Sequence, residues 1–139
     1  VTVVIDASLV IRLLSNRRAD ELLRRRLAGR LTLHAPQLID AEVASGVRGL
    51  LLGRKVESAR GAEMLDDFAS LPIRRHPMLP YQRRVIELRH NLTAYDAFYV
   101  ALAESLGMPL ITGDTKLAMS SGHTADVQIY PPTAAIPID

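Results

Sequence analysis

The run Thr2-Val3-Val4-Ile5 is apolar and β-branched, shows no alternation, and is cut off by an acid, Asp6. Alternation would mark a strand with one wet face. Its absence marks a strand covered on both faces, as a central strand of a parallel sheet is. Parallel neighbours need long crossovers, which are usually helical. Helical patterns follow at about residues 9–14 and 20–28, then a short strand around 31–34, then Pro36 opening a helix that reaches about Leu52. Beyond it the pattern predicts a helix over 56–69, a strand over 73–75 and a helix over 81–88, with Pro72, Pro77 and Pro80 as punctuation. Thr93 has N-cap chemistry with Asp96 at capping-box spacing, Phe98, Tyr99, Leu102 and Leu106 supply the apolar stripe, and Gly107 stops the helix. A strand over 108–112, a short helix over 115–121 and a last strand over 127–130 complete the series. Strands separated by helical segments imply an α/β fold: an α/β/α sandwich around a mostly parallel sheet, with right-handed crossovers.

At 139 residues without a repeat or a Gly/Ser linker, the sequence reads as one domain over 1–130 and a Pro-rich tail over 131–139. Hydrophobic residues at 48% and charged residues at 23% exclude disordered, collagen-like and coiled-coil classes. The absence of cysteine excludes a disulfide framework, a thiolate zinc site, a thiol nucleophile and an iron–sulfur cluster, and makes the cytoplasm the expected compartment. The apolar start is interrupted by Asp6 and Arg12 and is too short to span a bilayer, so neither an export signal nor a membrane association is expected.

The formal charge is only +2, yet the pI is about 9.3, because Lys55 and Lys116 are the only lysines among 17 basic residues. Arginine's planar fork pairs bidentately with phosphate, so Arg17, Arg18, Arg24, Arg25, Arg26 and Arg30, with Arg74, Arg75, Arg83, Arg84 and Arg89, are candidates to follow a nucleic-acid backbone. The same pattern also describes a solvated helix face. Aromatic residues, at 4%, are too few for a base-stacking platform.

Several acids fall where an α/β sheet keeps its ligand site, just beyond the carboxyl ends of strands. Asp6 follows the first strand, Asp114 follows Leu110-Ile111-Thr112 by one glycine, Asp96 lies in the first turn of the long helix, and Glu42 lies in the helix after Pro36. Each has a plain alternative as a helix cap, a dipole partner, a turn residue or a solvated side chain. Together they make a cluster that needs a cation. Two carboxylates ~4 Å apart repel by about 4 kcal/mol at an effective dielectric of ~20, so a group of three or four cannot all stay ionised unaided. Oxygen-only ligands point to magnesium or manganese. His34, His76, His90 and His123 show no paired ligand spacing and read as structural or exposed.

These residues resemble the PIN-domain ribonucleases, and within them the VapC toxins of bacterial toxin–antitoxin modules. The resemblance rests on Val3-Val4-Ile5-Asp6-Ala7-Ser8, on Pro36 with Glu42, on Thr93-Ala94-Tyr95-Asp96-Ala97 with Tyr99-Val100-Ala101-Leu102-Ala103, and on Leu110-Ile111-Thr112-Gly113-Asp114. It implies a five-stranded parallel sheet, an acidic pocket binding one or two divalent ions (Mg2+ or Mn2+), endonucleolytic cleavage of RNA, homodimers, and inhibition by a cognate VapB antitoxin. Carried over by position, Asp6, Glu42, Asp96 and Asp114 are the catalytic acids, with Asp6, Asp96 and Asp114 as metal ligands and Ser8 and Thr112 as hydroxyl support. On a helical wheel Glu42 sits on the shoulder of the Ile39, Val43, Val47 stripe, and periodicity leaves Asp40 open in its place; the resemblance favours Glu42. Asp126 precedes the last strand, at the wrong edge, and Asp66 and Asp67 sit on a helix surface. Two other classes put similar residues to use: a magnesium-dependent phosphoryl-transfer domain, for which a second Asp after Asp6 is missing, and a non-catalytic PIN-like module, which would usually lose some of the acids.

Overall fold

The computed structural model describes residues 2–15 and 32–130. The helix expected over 20–28 with Arg24 to Arg26, the neighbouring Arg17, Arg18 and Arg30, and the tail over 131–139 lie outside the described residues. Five strands, β1 Thr2–Ile5, β2 Thr32–Pro36, β3 Ile73–His76, β4 Leu110–Thr112 and β5 Val127–Ile129, form one all-parallel sheet in the order β3-β2-β1-β4-β5. The unalternating first strand is central, and Val3, Val4 and Ile5 are all buried.

The helices, numbered along the described chain, are α1 Ala7–Ser15, α2 Leu38–Leu52, α3 Ser58–Ser70, α4 Gln82–Glu87, α5 Ala94–Leu106 and α6 Thr115–Ala118. Right-handed crossovers put α1 to α3 on one face and α5 on the other. Arg75 of β3 accordingly pairs with Asp40 of α2 and lies 5.4 Å over the Phe68 ring of α3. Helix α5 is buried along Tyr99 to Ala103 and packs on β1 and β2. Its ends follow the sequence reading: the Thr93 hydroxyl accepts the Asp96 N–H, and Gly107 closes it at φ 63°, a left-handed conformation that a side chain would strain.

Pro36 does not open a helix. It closes β2, opposite His76 in the β3 register, and the Gln37 N–H donates to the His76 carbonyl at 2.9 Å before α2 begins at Leu38. Proline's fixed φ suits a strand end as well as a helix start, and pairing with β3 selects the former. The segment expected as one helix over 81–88 begins earlier, as a 3-10 turn at Leu79–Tyr81 with Pro80 in its first positions, and continues as α4.

The sheet order reverses at β1. From it the chain moves outward to β2 and β3, then returns to lay β4 and β5 along the other side, with Val4 opposite Leu110 and Ile5 opposite Ile111. Such a reversal opens a crevice beyond the carboxyl ends of the two diverging strands. Asp6 and Thr112 stand at its base.

Candidate active site

Asp6 is 5% exposed and uses both carboxylate oxygens. Oδ1 accepts the Leu9 N–H at 2.9 Å, capping α1, and the Ser8 hydroxyl at 2.8 Å. Oδ2 accepts the Thr112 hydroxyl from the end of β4. The capping role and the site role are thus two sides of one group. Thr112 Oγ1 also accepts the Asp114 N–H at 2.9 Å, and the Gly113 N–H donates to Ser8 Oγ at 3.1 Å, so the loop after β4 is stitched to the start of α1. Asp114 in turn caps α6, its Oδ1 accepting the Lys116 N–H at 2.9 Å.

The other two acids approach from the helices. Asp96 is half-buried in the first turn of α5, and Glu42 is half-buried on α2. Burial raises the pKa of Asp6 against the pull of its three donors, and the Asp96 carboxylate pushes the same way. Burial also raises Glu42, opposed by the Tyr99 hydroxyl and reinforced by Asp96 and Asp6. Asp96 is raised by burial and by Asp114, against a Thr93 hydrogen bond. The four sequence-predicted acids therefore share one electrostatic field. They are not in ligating contact: among the described residues no three His, Cys, Asp or Glu side chains stand close enough together to hold an ion.

Asp40, the alternative to Glu42, is exposed and accepts Arg75 Nε at 2.8 Å. Arg84 is likewise committed, to Glu104, so two of the arginines expected to face phosphate are held by carboxylates. Asp126 lies before β5, away from the crevice, and its carboxylate accepts the Gln128 amide.

Two features escaped the sequence reading. His34 of β2 and His76 of β3 meet, Nδ1 to Nε2 at 2.8 Å, with burial lowering the His34 pKa and His76 and Arg74 adding to the effect. Their separation of 42 positions gives no spacing signal; only the parallel register brings them together. Tyr99, read as part of an apolar stripe, is 1% exposed, and its hydroxyl faces Glu42 and Asp6. The available signal was a tyrosine where phenylalanine would fill the same volume.

The donor set is entirely oxygen: carboxylates, hydroxyls and backbone groups around a shared negative potential. That chemistry suits a hard divalent cation and the phosphate it would accompany. No helix among the described residues is long and apolar enough to cross a membrane.

The family described as PIN domain matches residues 3–119. Ribonuclease VapC12 of Mycobacterium tuberculosis is 40% identical over 127 residues, covering 91% of this chain and 98% of that protein. The fold is similar to that of VapBC2 from Rickettsia felis, solved bound to a DNA fragment from their promoter, at a TM-score of 0.65, 16% identity, and coverage of 93% of this chain and 98% of that one. A toxin–antitoxin complex from Klebsiella pneumoniae gives a TM-score of 0.61 at 18% identity, covering 84% and 90%.

Proposed function

This chain belongs to the PIN-domain family, alongside its VapC ribonucleases, and from that premise we propose that it is a divalent-metal-dependent endoribonuclease, the toxin of a toxin–antitoxin pair. The observation that carries the reading is the gathering of Asp6, Glu42 and Asp96, buried or half-buried, at the β1/β4 switch point, where burial and another acid of the set raise the pKa of each. Like charges held half-buried in one field are poised for a cation.

Asp6, Asp96 and Asp114, which are not in ligating contact, would have to close on the ion, magnesium or manganese, with Glu42 as the fourth acid. When bound, the metal supplies an activated water and neutralises charge on the phosphodiester oxygens. The protein's own part is to prepare the donors. Ser8 and Thr112 fix both oxygens of Asp6, leaving the carboxylate one orientation. Asp6 and Asp114 cap α1 and α6, and Asp96 lies in the first turn of α5, so the positive helix ends offset part of the acids' charge. With neither a cysteine nor a recognisable His-Ser-acid constellation to form a covalent intermediate, water is the nucleophile of this reading. RNA is the substrate class, Arg24, Arg25 and Arg26 are candidates to grip its backbone, a VapB-like antitoxin is the partner, and the assembly is a homodimer in the cytoplasm. The relative named a ribonuclease supports RNA as the substrate class, and the fold shared with a toxin–antitoxin complex supports the antitoxin partner.

Incubating RNA with the purified chain is the direct test. Cleavage is expected with manganese or magnesium, none with excess chelator, and little with Asp96→Asn. Undiminished cleavage under chelation would overturn the metal mechanism. RNA affinity should also fall with salt, at a log–log slope of ~0.7 per phosphate contact, and reversing Arg24, Arg25 and Arg26 to Glu should flatten that slope.

A further inference from the structure

Strand β3 lies at the edge of the sheet with little to hold it. Its one neighbour is β2, and of its residues only Ile73 is buried. At its carboxyl end it stands opposite Pro36, which has no N–H to give the ladder. A side-chain bond serves that end instead: His34 Nδ1 of β2 and His76 Nε2 of β3 meet at 2.8 Å, with the ring centroids 5.0 Å apart. The bond needs one proton between its two nitrogens. It survives a single charge on the pair, because a neutral imidazole accepts from an imidazolium. A second proton sets N–H against N–H and charge against charge. His34 is 7% exposed, so water cannot screen that repulsion until the strand end moves.

We infer that the His34–His76 pair is an acid-sensitive latch, which ties the end of β3 to β2 while at least one ring is neutral and releases it when both are charged. The groups around the pair favour release in acid. Burial, His76 and Arg74 all work against a proton on His34. Arg74 stands opposite His34 in the strand register and is exposed. The other elements packed against β2 are β1, which has no titratable side chain, and the helices α2 and α5. Asp40 of α2 is paired with Arg75, and Glu104 of α5 with Arg84. Glu42 of α2 and Asp96 and Tyr99 of α5 belong to the field of the crevice, and Arg48 and Tyr95 are exposed. No carboxylate among the described residues acts on His34 to offset a second charge. Release reaches the crevice through the backbone: the His76 carbonyl accepts the Gln37 N–H at 2.9 Å, and Gln37 immediately precedes α2, which carries Glu42. The inference deepens the ribonuclease reading and rests on it for that consequence, while the latch itself can be tested without RNA or metal.

The experiment is amide hydrogen exchange of the metal-free chain at low salt, followed by NMR from neutral pH to about pH 5 and corrected for intrinsic exchange. The Gln37 amide reports the latch, and the Leu110 amide, which donates to the Asp126 carbonyl at 2.9 Å in the other half of the sheet, is the reference. Opening frees His34 to take up a proton that it binds weakly when the latch is closed, so the latch is at full strength above about pH 6.5, the ordinary imidazole value, and weakens as the pH falls below it. Protection of Gln37 relative to Leu110 should then drop by about tenfold per pH unit, one proton being taken up. His76→Gln leaves His34 a partner without a second charge and should abolish the slope. Arg74→Gln changes only an exposed side chain, removes a neighbouring cation and should move the drop to higher pH. A slope absent from the wild-type chain, equally steep in His76→Gln, or unmoved by Arg74→Gln would overturn the latch. In manganese, acidification should slow RNA cleavage by a larger factor in the wild-type chain than in His76→Gln, and equal slowing beside an intact Gln37 slope would overturn the link to the crevice. A wild-type chain that leaves RNA intact at every pH would overturn the ribonuclease reading instead, while hydrogen exchange still decides the latch.

Discussion

The Thr112 hydroxyl donates to Oδ2 of Asp6 and accepts the Asp114 N–H at 2.9 Å, bridging the ends of β1 and β4 across 106 residues of sequence. Thr112 is fully buried, so water cannot replace either bond. One oxygen thereby fixes the orientation of one acid and the backbone of another at the point where the sheet order reverses.

Replacing that oxygen by a methyl group of equal size isolates its contribution. Thr112→Val should destabilise the protein by about 1–3 kcal/mol, since it strands a buried carboxylate oxygen and a backbone donor. Cleavage should fall with it. Thr112→Ser keeps the hydroxyl and should recover most of the activity while losing only the packing of the methyl group. Chemical denaturation and initial cleavage rates of the two variants distinguish the bond from the packing.

The raised acids predict an unusual pH dependence. Asp6, Glu42 and Asp96 bind protons more tightly in the folded state than in the unfolded chain, so the folded state holds the extra protons between the two values. Their contribution to stability is therefore fully present below about pH 4, the ordinary carboxyl range, and is lost as the pH rises through the shifted values. In metal-free buffer the thermal midpoint should decline over that window, and Asp96→Asn should flatten the decline. Divalent metal at ~100 times its dissociation constant should restore about 2.7 kcal/mol at neutral pH, observed as a rise in the melting temperature.

How far the sequence carried this reading differs by residue. The β1 run and Asp6 were legible because burial on both faces and an abrupt acid are local signals, and the cap and stop of α5 were legible because Thr93 and Gly107 act within one turn. Pro36 misled because its backbone preference fits either a strand end or a helix start, and only the β3 pairing decides. The His34–His76 contact depends on strand register, which no spacing encodes. Tyr99 was hidden by its own ring, which satisfies the apolar pattern while burying a hydroxyl. The choice between Glu42 and Asp40 was open on the helical wheel, which does not encode the Arg75 partner of Asp40, 35 residues away.

That division of labour on α2 is itself testable. Asp40 is exposed and its ion pair with Arg75 lies in solvent, so Asp40→Asn should change stability by less than about 1 kcal/mol and leave cleavage near wild type. Glu42→Gln keeps the shape but removes the charge, and should reduce cleavage by at least an order of magnitude with little loss of stability, because the buried charge was itself unfavourable. The opposite pattern in the two initial rates would transfer the fourth acid to Asp40.

A two-pronged ion pair lies at the other end of the sheet and should respond to pH in the opposite sense. Glu104 of α5 accepts Arg84 Nε at 2.8 Å and Nη2 at 2.9 Å, and also the Thr124 N–H at 2.9 Å and its hydroxyl at 3.0 Å, joining α4 and α5 to the loop before β5. Arg84, with Thr124 in support, holds the Glu104 carboxyl down at about 2. A depressed folded value means that the unfolded chain takes up the proton first. The clamp's stability is therefore present above about pH 4.5 and is lost as the pH falls toward 2. Glu104→Gln should cost about 1–3 kcal/mol at neutral pH, the range for hydrogen bonds to a charged group, and that deficit should shrink on acidification until mutant and wild type converge. Because Glu104 faces away from the acids of the crevice, the rate of RNA cleavage at temperatures where both proteins are folded should not change. Parallel melts of wild type, Glu104→Gln and Asp96→Asn from pH 3 to pH 8 should show the first variant losing the acid limb of the curve and the second losing the decline above it. A Glu104→Gln deficit that stays constant across this range would mean that packing, and not charge, holds α4 to α5.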